Sequence, residues 1–156
     1  MGNLADMIEK YIRSMLETTQ QGALELQRHE LARLFDCVPS QINYVLSTRF
    51  TVDRGYVVES RRGGGGFIRI VRVSVPAGQP LHAWLNGIIE SGITAKELDT
   101  ILNRLVNDDH ISLPEANLIK VAIMRELDGM PDQWSDILRA RMLRAMLAIV
   151  VGGRGE

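Results

Sequence analysis

One cysteine, Cys37, is all this 156-residue chain has, so it cannot close a disulfide within itself and a reducing compartment is expected. No stretch of eighteen uncharged apolar residues exists, which excludes an apolar helical membrane span. The first residues have no apolar signal core, because Asp6, Glu9, Lys10 and Arg13 interrupt them. A soluble cytoplasmic chain is the expectation. His29, His82 and His110 are scattered without metal-ligand spacing or a partner cysteine, so neither a metal nor a cofactor is expected. No paired carboxylates, Ser-His or Cys-His arrangement stands out as catalytic machinery, and no enzyme is expected. An excess of charge is missing too: the formal net charge is −1, so the chain as a whole has no general attraction to polyanions.

What is present is a strong local bias. Between Ser40 and Val73 the cations are Arg49, Arg54, Arg61, Arg62, Arg69 and Arg72, against only Asp53 and Glu59. After Val73, eleven carboxylates face eight cations. Inside the basic segment, Tyr56 to Val73 reads YVVESRRGGGGFIRIVRV. Two runs rich in Val, Ile and aromatics flank Arg61 and Arg62 and then Gly63, Gly64, Gly65 and Gly66. That composition predicts a β-hairpin whose connection projects beyond the sheet. Guanidinium groups beside bare backbone suit a narrow anionic groove. The DNA minor groove is one, about 6 Å wide, and arginine is drawn into it. The glycines do not read as a phosphate cradle of the nucleotide-binding kind, since no Lys-Ser or Lys-Thr follows and a strand comes next.

Upstream, Met7, Ile8, Tyr11, Ile12, Met15 and Leu16 recur at helical spacing, predicting an amphipathic helix of about four turns that Gly22 ends. Leu24 and Leu26 alternate with Glu25 and Gln27 as in a short strand. Leu31, Leu34 and Phe35 mark one apolar face of a short helix, and Ala32 leaves room for close helix approach. Asp36-Cys37-Val38 makes a tight connection, and Pro39 fits the first turn of a second helix. There Ile42, Val45 and Leu46 lie on one side. Ser40, Tyr44 and Ser47 lie opposite, with Gln41, Asn43 and Thr48 at the margins. A face with hydrogen-bonding groups and no carboxylate suits phosphates and base edges. Two short helices joined by three residues form a helix-turn-helix; with a helix before and a hairpin after, it becomes a winged one. Arg28 before the pair and Arg49 at its end are expected to reach flanking phosphates. Gln41, Asn43 and Tyr44 are the best placed for base edges, and Arg62, supported by Arg61, for the minor groove.

VPSQINYVLSTRFT, then RGYVVES, then RRGGGGFIRI, resemble the class III stress gene repressor family (CtsR-like) of low-GC Gram-positive bacteria. The likeness is strong from about Glu30 to Ile70 and looser after Pro76. It implies a dimeric heat-shock repressor on directly repeated double-stranded DNA operators upstream of Clp ATPase and protease genes, released on heating. It also implies control by a protein-arginine kinase with its adaptor and by Clp-mediated degradation. Arg62 would be the modified position, because a phosphate there would set a dianion against the DNA backbone.

Ser74 to Pro80 reads as a hinge, with two prolines, a glycine and no charge. Helices follow: Leu81, Trp84, Leu85, Ile88 and Ile89 on one face, then capping boxes at Thr94/Glu97 and Ser112/Glu115. The second box leads into Leu118, Ile119, Ala122, Ile123 and Leu127, all expected inward. The last helix is apolar nearly all round at its end, and its surplus is expected to face a second copy through Trp134, Ile137, Leu138, Met142 and Leu147. The expected fold is therefore α+β, mainly α. A winged helix-turn-helix domain spans residues 1–73, a hinge 74–80, and a helical-bundle dimerisation domain 81–156. The alternative is a winged-helix module that binds a partner protein and has no DNA affinity.

Overall fold

A computed structural model of the chain describes residues 3–19, 22–60 and 66–152. Its first helix, α1 (Leu4–Thr18), opens on a capping box in which Asn3 Oδ1 accepts from the Asp6 N–H and Asp6 accepts from the Asn3 N–H. This satisfies two donors that a helix start otherwise leaves orphaned. Ala5, Ile8 and Ile12 form the buried stripe. Strand β1 (Ala23–Gln27) runs directly into α2 (Arg28–Leu34). At the end of α2, Asp36 adopts φ 51°, and the Cys37 N–H donates to the Ala32 carbonyl at 2.8 Å. That reversal ends the helix and aims Pro39 into the first turn of α3 (Pro39–Arg49). Buried Leu31 and Ala32 face α3, whereas Leu34 is 59% exposed. The expected Leu34 contact is thus corrected: the packing face of α2 is Leu31, Ala32 and half-buried Phe35, whose ring meets Tyr11 of α1 edge-on at 5.5 Å.

A short 3-10 turn, Val52–Arg54, leads to β2 (Tyr56–Ser60), and β3 (Phe67–Arg72) completes an antiparallel sheet of order β1-β3-β2. Ile68 and Ile70 point from the central strand into the helices, joined there by Leu24, Leu26 and Val58. Ile42 from α3 and Ile8 and Ile12 from α1 are as fully buried as Ile68 and Ile70. Each such side chain contributes about 1.5–3 kcal/mol on leaving water. This apolar centre holds α3 at a fixed height above the sheet.

The chain divides into two compact units, Met1–Arg72 and Val73–Glu156. The second is all-helical: α4 (Leu81–Ile89), α5 (Ala95–Asn107), α6 (Leu113–Glu126) and α7 (Asp132–Gly152). Thr94 with Glu97 and Ser112 with Glu115 cap α5 and α6 reciprocally. Helix α4 packs on α7, and α5 packs on both α6 and α7. The core gathers Trp84, Leu85, Ile88, Leu98, Ile101, Leu105, Ile119, Ile123, Leu143 and Leu147. At the start of α7 the Ile93 N–H donates to the Asp136 carbonyl at 2.9 Å, and Arg139 bridges the Ile93 carbonyl and the Asp136 carboxylate. One inward expectation is overturned: Leu118 is 70% exposed. Helix α6 buries Ala116, Ile119 and Ile123 and turns Leu118, Val121 and Met124 outward. Among the described residues no helix is long and apolar enough to cross a membrane.

Candidate nucleic-acid interface

Helix α3 buries Ile42, Val45 and Leu46 and exposes Ser40, Asn43, Tyr44, Ser47 and Thr48, with Gln41 half-buried at the margin. The Ser47 and Thr48 hydroxyls donate back to the Tyr44 carbonyl at 3.1 and 2.7 Å. With their hydrogens directed at the helix, these two turn lone pairs outward. Tyr44 stands exposed between them, an aromatic face ending in a hydroxyl.

Arg28, expected to reach a flanking phosphate, makes three side-chain contacts within the first unit. Its Nε donates to Asn43 Oδ1 at 2.7 Å and its Nη2 to Ser60 Oγ at 2.8 Å, while Nη1 lies 3.5 Å from the Gly66 carbonyl. The backbone N–H of Arg28 donates to that same carbonyl at 3.0 Å. Three of the guanidinium's five N–H groups are therefore engaged inside the protein, between α3 and the last described residues on either side of the hairpin connection. Ser60 and the Gly66 carbonyl were not foreseen, because partners 32 and 38 residues away leave no local periodicity.

Arg49, likewise expected to reach a flanking phosphate, is paired inside the first unit. Its Nη1 sits 2.7 Å from Asp6 Oδ1 and 2.6 Å from Glu9 Oε1, both on α1. The Arg49 guanidinium, followed by the Asn3 N–H, holds the Asp6 carboxyl below its ordinary range. Arg13 first, and then Arg49, do the same for Glu9. A cation so matched adds little field toward a phosphate. Arg69, counted as part of the basic segment, is 4% exposed and lies in register with Glu25 on one side and Glu59 on the other. Opposite charges directly across strands attract, so Arg69 serves the sheet. The positive bias read from composition is thus partly internal. The expected minor-groove residues Arg61, Arg62, Gly63, Gly64 and Gly65 lie outside the described residues. Gly66 is described, with φ +68°.

Of the residues expected at a dimer surface, Trp134, Ile137 and Leu138 are exposed and Met142 is half-buried. Leu147 is 1% exposed within its own unit, so it belongs to that core, and its expected role at the surface is withdrawn. Ile149, by contrast, is 75% exposed on the outer side of α7.

A helix-turn-helix backed by a three-stranded antiparallel sheet and followed by four packed helices defines a winged helix-turn-helix protein with a separate helical unit. The chain belongs to the CtsR family: the models described as CtsR N-terminal HTH domain and CtsR C-terminal dimerization domain match residues 3–74 and 79–148. The Transcriptional regulator CtsR of Geobacillus stearothermophilus is 42% identical over 147 residues, covering 94% of this chain and 96% of that protein. The Bacillus subtilis (strain 168) protein of the same name is 41% identical over 145 residues, covering 93% and 94%. A solved structure titled "Crystal structure of CtsR in complex with a 26bp DNA duplex" is 39% identical and covers 96% of this chain and 99% of that chain, with a TM-score of 0.45.

Proposed function

We propose that this chain is a sequence-specific DNA-binding transcriptional repressor acting as a homodimer, with α3 in the major groove and the connection between β2 and β3 in the adjacent minor groove. The observation that carries this is the outward face of α3. Ser40, Asn43, Tyr44, Ser47 and Thr48 are exposed together without a carboxylate among them, on a helix whose other side is locked into the core. A carboxylate there would be repelled by phosphates, and an unanchored helix could not keep register with base pairs. The names of the relatives, all transcriptional regulators, point the same way.

Control of Clp protease and chaperone genes, release on heating, and inactivation through Arg62 by a protein-arginine kinase with its adaptor rest on the family resemblance. Physical reasoning favours the last, because phosphorylation exchanges a cation for a dianion at the intended DNA face. For the homodimer, the outward stripes of α6 (Leu118, Val121, Met124) and α7 (Trp134, Leu138, Ile149) are the surfaces for a second copy. Apolar stripes of this kind on a helical unit otherwise face water at a cost.

One observation favours a second reading. With Arg49 and Arg69 matched by carboxylates, the cationic footprint of the first unit is smaller than its arginine count. That would suit a winged helix bound to a partner protein. Duplex titration of the full chain at two salt concentrations decides between the two. A repressor shows a steep fall in affinity with salt, and Arg62→Ala weakens binding and flattens the log-log slope by about one unit. An affinity indifferent to salt, or an Arg62→Ala titration matching wild type, overturns the assignment of the wing to the minor groove.

A further inference from the structure

Arg28 is a donor-only side chain, and its three nitrogens end on three different parts of the first unit: Asn43 of α3, Ser60 at the end of β2 and Gly66 before β3. An arginine can meet only an acceptor, so the Asn43 atom facing Nε at 2.7 Å has to be the carbonyl oxygen. The chemistry thereby settles which way the amide points. Left unbonded, an exposed asparagine amide would rotate among several rotamers and present donor or acceptor indifferently. Here it is held, and held by a group that is itself fastened to both sides of the hairpin connection.

We infer that Arg28 is a positioning residue for base recognition, which orients the Asn43 amide and couples it to the base of the wing, and that it is not a phosphate ligand. The inference rests on the proposed reading of α3 as the major-groove helix. Half-buried Arg28 starts α2 at the point where β1 ends, and its backbone N–H is also committed, to Gly66. Swinging the guanidinium out of this place toward a phosphate would therefore require breaking the Asn43 and Ser60 bonds together. A planar fork can hold acceptors in several directions at once, whereas a lysine ammonium is a compact point charge on a flexible stem. Charge alone does not reproduce the arrangement.

The two roles differ in their salt dependence. A phosphate ligand, when removed, lowers the log-log salt slope by about one unit and weakens all sequences alike. A positioning residue leaves the slope in place and relaxes discrimination at one base pair, the one Asn43 faces, by roughly tenfold. The test uses the full chain and a duplex that the wild-type protein selects from a randomised pool. Arg28→Lys, which keeps the charge, is expected to retain the wild-type slope and to lose discrimination at a single position. Asn43→Ala is expected to lose it at the same position, and the double variant no further. A DNA-free arm checks the contact itself: the Arg28 Nε–H of the isolated protein is expected to exchange slowly with solvent, and faster in Asn43→Ala.

Full discrimination in Arg28→Lys, or a slope reduced by one unit in Arg28→Ala, makes Arg28 an ordinary phosphate contact and overturns the inference. Rapid exchange of Nε–H in the wild-type protein overturns it without reference to DNA. If the wild type selects no duplex, the repressor reading itself fails, and slow exchange then leaves Arg28 as a structural tie with no role in recognition, which also overturns the inference.

Discussion

At Gly92 and Gly78 the backbone has the same φ of +78°, yet the two glycines meet different surroundings. An added Cβ at Gly78 would find nothing within 4 Å, whereas at Gly92 it would stand 3.0 Å from the Asp136 carbonyl carbon and Cβ. The left-handed region costs a non-glycine residue about 1–2 kcal/mol wherever it occurs. At Gly92 the close approach adds to this, because Asp136 cannot retreat without loosening the Ile93 N–H bond and the Arg139 bridge. We therefore expect Gly78→Ala to destabilise the helical unit by about 1 kcal/mol, and Gly92→Ala by about 1–3 kcal/mol more. Denaturant unfolding of the two variants side by side measures crowding with the backbone strain cancelled. Equal losses would mean that the start of α7 yields freely. Nothing in the sequence near Gly92 announces contact with a residue forty-four positions later.

Helix α1 acts on α3 through charge as well as apolar contact. Asp6 and Glu9, one turn apart, both reach Arg49 at the far end of α3, and Glu9 also holds Arg13, whose guanidinium lies over the Phe50 and Tyr56 rings. Both carboxyls are held below their usual values of 3.8 and 4.5, Asp6 chiefly by Arg49 and Glu9 chiefly by Arg13. Groups with depressed folded-state values contribute stability above those usual values and lose it as pH falls through the folded ones. The thermal midpoint of the first unit is therefore expected to drop below about pH 4.5 more steeply in wild type than in Glu9→Gln. At neutral pH that variant is expected to be less stable by about 1 kcal/mol, the gap closing in acid. Melting curves from pH 7 to 3 check both; a gap constant with pH would show that Glu9 acts through packing alone. The periodicity of α1 and α3 was legible in advance, as was the outward polar face of α3, because local spacing determines which side chains share a side. The cross-element pairs were not. Asp6 and Glu9 lie about forty residues upstream of Arg49, and Glu25 meets Arg69 only once β1 pairs with β3.

For the molecule as a whole, the proposed homodimer turns on which helix faces the second copy. Sequence periodicity could not settle it, since α6 is apolar on both sides: Ala116, Ile119 and Ile123 face in, and Leu118, Val121 and Met124 face out. A helix of that kind offers two apolar faces at helical spacing, and Leu118, expected inward, lies on the outer one. On α7 the reverse holds: Leu147, expected at the surface, closes the core beside Leu143. Exposure separates the two roles experimentally. Leu118→Asp removes no contact of the buried core, so the variant is expected to keep its helix content and melting temperature in dilute solution. If α6 meets a second copy, the same change buries a charge in an apolar contact, a penalty of several kcal/mol, and the dimer dissociates at micromolar concentration. Leu147→Asp, by contrast, is expected to unfold the helical unit outright. Loss of the dimer also uncouples two DNA-binding units that otherwise share one high effective concentration, so operator affinity is expected to fall by about a hundredfold or more in Leu118→Asp while the first unit remains folded. Sedimentation and duplex titration on one preparation read both effects. A Leu118→Asp protein that sediments as a dimer and binds as wild type would exclude the α6 stripe, leaving Trp134, Leu138 and Ile149 of α7 to carry the contact.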